Sequence, residues 1–229
     1  MITQGDSVFV GKVFGAAALG YYQMAFLISN VLATEITNTV SQVVFPSYSQ
    51  IREDRQRLKE AFFRVLQFIV VICFPLSAGV FILSAEFSHL FLGEKWNAAV
   101  PLIQIMSVLG CLRAFGGTAV ALFWGIGEPR YAMKYSMTQM LVLGVLIGPA
   151  AHWYGLEGVA AVVLLSYLTI EVLYAFRLLS LLGAGWAPFF RVMAVPLSAS
   201  LGMAAVVGGM KGIVGAGVAG FCAGQDGLA

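Results

Sequence analysis

Three ionisable residues lie deep inside apolar stretches of this chain: Glu35, Arg113 and Glu171. A charge at the centre of a bilayer costs roughly 3 kcal/mol or more, so each must face a partner or a watery space. The chemistry open to them is binding rather than bond making, because no catalytic constellation accompanies them. There is no Walker loop, GxSxG, HExxH or acidic cluster, and His89 and His152 sit in separate turns without a carboxylate or cysteine at ligand spacing. No catalytic residue, metal site or cofactor is therefore expected. Arg113 carries a guanidinium suited to an anion, phosphate in particular; its structural alternative is an ion pair with Glu35 or Glu171. Glu171 shares a helical face with Tyr167 and Tyr174, while Arg177 stands close enough to neutralise it.

Glu35 belongs to a polar stripe in the stretch that organises the chain, Leu19 to Glu60. At about 100° per residue, Asn30, Thr34, Thr37, Asn38 and Ser41 fall on one helical face, with Glu35 and Gln42 at its edge. Val31, Ile36, Val40 and Val43 cover the opposite face. A helix that is polar on one side and apolar on the other, within a length able to cross a bilayer, turns the polar side toward other helices or a cavity.

Composition says what must hold these residues. Of 229 residues, 60% are hydrophobic and 10% charged, with a mean hydropathy of +0.89; soluble domains carry about 25% charged residues, so this is an all-α integral membrane protein, a polytopic helical bundle. Apolar segments are expected at about 19–46, 61–84, 99–124, 131–151, 157–181 and 189–209. A shorter one at 7–18 reads as the second half of a helix, and the Gly/Ala-rich tail from Gly212 would begin an eighth span or be disordered. That makes about seven to eight spans. Pro46 is expected to end the first full span, and Pro75 and Pro196 to bend theirs. The run from Arg52 to Glu60 reads as a solvated helical extension with i,i+4 pairs such as Glu53–Arg57, with no nucleic-acid role. Residues 85–98 are amphipathic and too polar to cross. Cys73, Cys111 and Cys222 lack redox or metal spacing and read as small buried apolar groups.

Alternating the spans places Arg52, Arg55, Arg57, Lys59, Arg64, Arg130, Lys134, Arg177 and Arg191 on one side and Lys12, Lys95 and Lys211 on the other. The richer side is expected to be cytoplasmic. Trp96, Trp153 and Trp186 fall at segment ends, as an interfacial aromatic belt requires.

The motifs then form a recognisable series: GKVFGAAALGYYQMAF, VVFPSYSQIREDRQRLKEAFFR, FPLSAGVFILSAEFSHLFLGEKWNAAVPLIQIMSV, FWGIGEPRYAMKY and HWYGLEGVAAV. Over about residues 6–182 the chain resembles the O-antigen and exopolysaccharide flippases of the multidrug/oligosaccharidyl-lipid/polysaccharide exporter superfamily. The resemblance implies one lobe, the second, of a two-lobe transporter with a central cavity. It puts that bundle at 1–182 and one or two further, divergent spans at 183–229. It implies a place in the bacterial inner membrane, an undecaprenyl-pyrophosphate-linked glycan as substrate, and as partners membrane lipid, a first lobe, or polysaccharide polymerase machinery. It transfers no motif residue by residue, so the cavity candidates Glu35, Arg113, Glu171, Asn30, Asn38 and Gln42 rest on the burial argument alone. A cation-coupled drug or small-solute antiporter, using Glu35 as its ion site, and a multispan enzyme of polysaccharide assembly are the competing readings. Because a moving substrate is not held in one bidentate geometry, the charge of Arg113 is expected to matter more than its planar fork.

Overall fold

The computed structural model describes residues 5–225, apart from the side chains of residues 31–33 and 211–225. Five helices follow one another: α1 (Gly5–Gln50), α2 (Arg55–Phe87), α3 (Val100–Gly125), α4 (Pro129–Leu182) and α5 (Trp186–Gln225). A five-residue π-helix, Ser88–Leu92, and a 3-10 helix, Glu94–Ala99, link α2 to α3. No strand occurs among the described residues. The long apolar helices Arg55–Leu92, Glu94–Gly125, Pro129–Leu182 and Trp186–Met210 are each able to cross a membrane by length and composition. The chain is thus a multi-pass helical membrane protein, and the seven segments read from the sequence all fall on helix. The tail expected from Gly212 onward lies outside the fully described residues.

Two of the helices double back, α1 near its start and α4 at its midpoint, and glycine makes both folds. Gly15 (φ 85°, ψ 178°) and Gly155 (φ 60°, ψ −142°) interrupt α1 and α4 with backbone conformations closed to other residues. Side-chain contacts prove the reversal. Tyr22 donates to Asp6 sixteen residues away at 2.7 Å, where a straight helix would hold them about 24 Å apart. Arg177 donates to the hydroxyl of Tyr131 across 46 residues, a separation of roughly 70 Å in an unbroken helix. The arms of α4, 129–154 and 156–182, therefore lie antiparallel, each long enough to span.

Several expectations are corrected here. Helix α1 runs through Pro46 to Gln50, so Pro46 does not end its span; Pro75, Pro149 and Pro196 likewise sit inside helices. The first break is at Gly15 rather than near Leu19. The run after Ile51 is a turn capped by Asp54, whose carboxylate accepts from the amides of Gln56 and Arg57 and pairs with the Arg57 side chain at 3.1 Å. The partner of Arg57 is thus Asp54, three residues before it, because a cap offers amides and a cation together. The three tryptophans lie at helix ends or folds: Trp153 is 75% exposed beside the Gly155 fold, Trp186 opens α5, and Trp96, just before α3, meets Tyr21 edge-on at 5.4 Å.

Among the described residues the interior has two large apolar clusters with a polar layer between them, and a small third one of Ile69, Cys73 and Ala114. One large cluster gathers Tyr48, Leu58, Phe62, Leu122, Phe123, Tyr174 and Leu178; the other gathers Val10, Tyr22, Ile103, Met106, Leu109, Val159 and Val163. Helix α3 threads both, giving Leu102–Leu109 to one and Phe115–Phe123 to the other. Arg113 falls in the interval, which fixes its depth. Helix α5 packs chiefly on α2, away from this layer.

Candidate functional site

In the polar layer a cavity of about 220 Å³ opens between α1, α3 and the two arms of α4. Helix α1 supplies Thr34, Thr37 and Asn38; α3 supplies Arg113, Gly116 and Gly117; the arms of α4 supply Ser136 and Gln139, then Tyr167, Glu171 and Tyr174. Each helix presents these residues at spacings of three or four, which align them on one face. The absence of side chains on α3 matters as much. A Cβ at Gly116 would stand 2.2 Å from Glu171 Oε1, and one at Gly117 would stand 2.5 Å from the Thr37 methyl. The two glycines are what let an acid from α4 and a hydroxyl-bearing residue from α1 press against the α3 backbone.

Of the six candidates, the cavity gathers Arg113, Glu171 and Asn38. Glu171 is 6% exposed, and its Oε2 is buried without a hydrogen-bond partner. Arg113 likewise buries an unpartnered Nη1. The guanidinium lies over the Phe26 ring at 5.0 Å and over the Tyr167 ring at 5.7 Å. No ion pair joins it to Glu35 or Glu171 among the described residues. Arg177 is engaged with Tyr131, by a hydrogen bond and by stacking at 4.3 Å, and makes no ion pair with Glu171. The neutralising partners suggested by the sequence are thus not the ones the fold uses.

The other three candidates stand apart from the cavity. Asn30 is buried, but its amide nitrogen donates to the Phe26 carbonyl of its own helix at 3.0 Å. Glu35 and Gln42 are exposed and do not line it. The stripe on α1 therefore divides: Thr34, Thr37 and Asn38 look into this bundle, and its edge looks out. Sequence reasoning missed Asp6, a carboxylate only 4% exposed, held by the Tyr22 hydroxyl and by the Ser7 amide at 2.9 Å. With Gln139, Ser166 and Tyr167 it lines a smaller recess next to the main cavity, with which it shares Gln139 and Tyr167. Its sequence signal was an acid in the first turn of an apolar helix, but only the fold at Gly15 brings Tyr22 to it.

A multi-helix membrane bundle with an inward polar layer is the class that fold and site define together. The comparisons with known proteins agree with the likeness read from the motifs. Residues 1–101 match the family described as "Polysaccharide biosynthesis protein". The chain is 26% identical over 202 residues to the lipopolysaccharide biosynthesis protein WzxC of Escherichia coli, covering 87% of this chain and 41% of that protein. It is 28% identical over 170 residues to the teichuronic acid biosynthesis protein TuaB of Bacillus subtilis, covering 74% and 33% respectively. It is 22% identical over 125 residues to the succinoglycan biosynthesis transport protein ExoT of Rhizobium meliloti, covering 55% and 25%. The chain thus spans less than half the length of these relatives. No solved structure matches it.

Proposed function

We propose that this chain forms one wall of a transporter that moves a lipid-linked oligosaccharide across the bacterial inner membrane during surface-polysaccharide biosynthesis. The observation that carries this reading is the Arg113 cavity: a half-buried cation whose Nη1 is buried and unpartnered, surrounded by hydroxyls, amides and one acid. Such a layer is too costly to maintain for packing alone. A volume of about 220 Å³ is below the roughly 300–1,000 Å³ of pockets that enclose a drug-sized ligand, so it suits one anionic group of a larger substrate. The pyrophosphate between lipid and glycan is the group whose charge matches Arg113. The glycan would lie in a wider space bounded by the outward edge of α1, where Glu35 and Gln42 are exposed, with a second lobe as the opposite wall. The relatives' names, which speak of lipopolysaccharide, teichuronic acid and succinoglycan biosynthesis, support a polysaccharide precursor over a drug, and the succinoglycan protein's name, which speaks of transport, supports transport.

The test is Arg113→Gln, measured as surface-polysaccharide export in cells that lack their own flippase. Export is expected to fall at least about tenfold, the loss of one charged contact, with the protein inserted at normal abundance. If the variant instead vanishes from the membrane and Glu171→Gln restores it, Arg113 is a structural residue and the reading fails.

A further inference from the structure

The polar layer contains two rings whose position the transport reading does not by itself explain. Phe26 comes from α1 and Tyr167 from the returning arm of α4, yet both lie against the same guanidinium of α3, at 5.0 and 5.7 Å. Nη1 of that guanidinium is buried with no partner. In a membrane interior an arginine ordinarily meets its needs by finding a carboxylate. This one has Glu171 lining the same cavity and does not pair with it. The backbone around Phe26 is fixed independently of the arginine. The Phe26 carbonyl accepts from Asn30, and Tyr22, one turn earlier on the same face, is tied to Asp6 across the Gly15 fold.

We infer that Phe26 and Tyr167 are positioning residues that hold the Arg113 guanidinium by its π-face and leave its N–H edge free for a phosphate oxyanion. This inference rests on the anion-binding reading of the cavity and deepens it. A planar, delocalised cation can rest on rings and still present an edge of N–H donors; a lysine ammonium resting on the same rings has no second set of fixed donors to offer. The fork is therefore part of the recognition, against the expectation that the charge of Arg113 matters more than its planar fork. Because the rings belong to α1 and α4 and the arginine to α3, the grip depends on how three helices stand to one another. A shift of α1 or α4 against α3 would loosen it and release the anion.

The test measures binding of inorganic pyrophosphate to the protein in lipid nanodiscs by titration calorimetry. Arg113→Gln is expected to abolish binding and Arg113→Lys to weaken it about tenfold. Phe26→Leu and Tyr167→Leu should each weaken it about fivefold, in keeping with a desolvated cation–π contact. Tyr167→Phe, which keeps the ring, should restore most of the affinity. In the Arg113→Lys background, Tyr167→Leu should cost less than in the wild type, since the ring then has no fork to orient. Full affinity in both leucine variants, or an equal loss from Tyr167→Leu in the two backgrounds, overturns the positioning role while leaving the anion site standing. Full affinity in Arg113→Gln overturns the anion site itself.

Discussion

Glu35 on α1 and Glu171 on α4 are two acids of the same kind, each set in an apolar stretch among polar neighbours, and the fold treats them oppositely. Glu171 is 6% exposed, pressed against the bare backbone at Gly116, with one oxygen buried and unpartnered. Glu35 is exposed, one residue away from Thr34, which does line the cavity. The difference comes from what each helix packs against. The α4 return arm is enclosed by α3 and by its own partner arm, whereas α1 gives α3 one side and leaves the other uncovered. A polar residue on a spanning helix therefore has two destinations, a layer inside the bundle or a surface that another wall must cover, and a single residue step, about 100° around the helix, separates them.

The largest effect expected from this contrast is at Glu171. Glu171→Lys places a second cation in the cavity that already holds Arg113, with no carboxylate paired to either, and should destabilise the bundle by about 3 kcal/mol or more; Glu35→Lys should change stability by no more than about 0.5 kcal/mol. Thermal unfolding in nanodiscs compares the two directly, and equal losses would erase the distinction. A middle-sized effect is expected at Gly116. A valine there collides with Glu171 and should cost about 1–3 kcal/mol as overpacking. Gly116→Ala should cost less, because the group it displaces is the free end of a flexible side chain. The smallest effect belongs to Glu35→Gln, which should leave unfolding of this chain unchanged within about 0.5 kcal/mol. If it stabilises the chain markedly, the outer edge of α1 is burying the acid against lipid rather than facing a cavity.

Much of the fold was legible because membrane helices announce themselves by length and composition. The segments at 61–84, 99–124, 131–151 and 157–181 all lie within helix, since a bilayer admits no other way to satisfy the backbone. Proline misled where it was expected to end a span: the helix carries through Pro46, because in a long, otherwise continuous helix one missing amide and a local adjustment are tolerated. For the site, the facing of Thr34, Thr37 and Asn38, and of Tyr167, Glu171 and Tyr174, followed from helical periodicity. Which of these faces met was not in the periodicity. Asp6 and Gln139 reach the polar layer only because α1 and α4 double back.

The sequence by itself determined that this is a helical membrane protein with polar faces on particular helices, since hydropathy and the 3.6-residue period are local properties. The tertiary structure alone decided that Arg113 rests on Phe26 and Tyr167 rather than on a carboxylate, and that Glu171 is enclosed while Glu35 is not. Those outcomes depend on two glycine folds that reverse α1 and α4, and on two more glycines that let their side chains reach α3. A pair of backbone torsions redirects a whole arm of helix, and no neighbouring side chain along the chain carries that information.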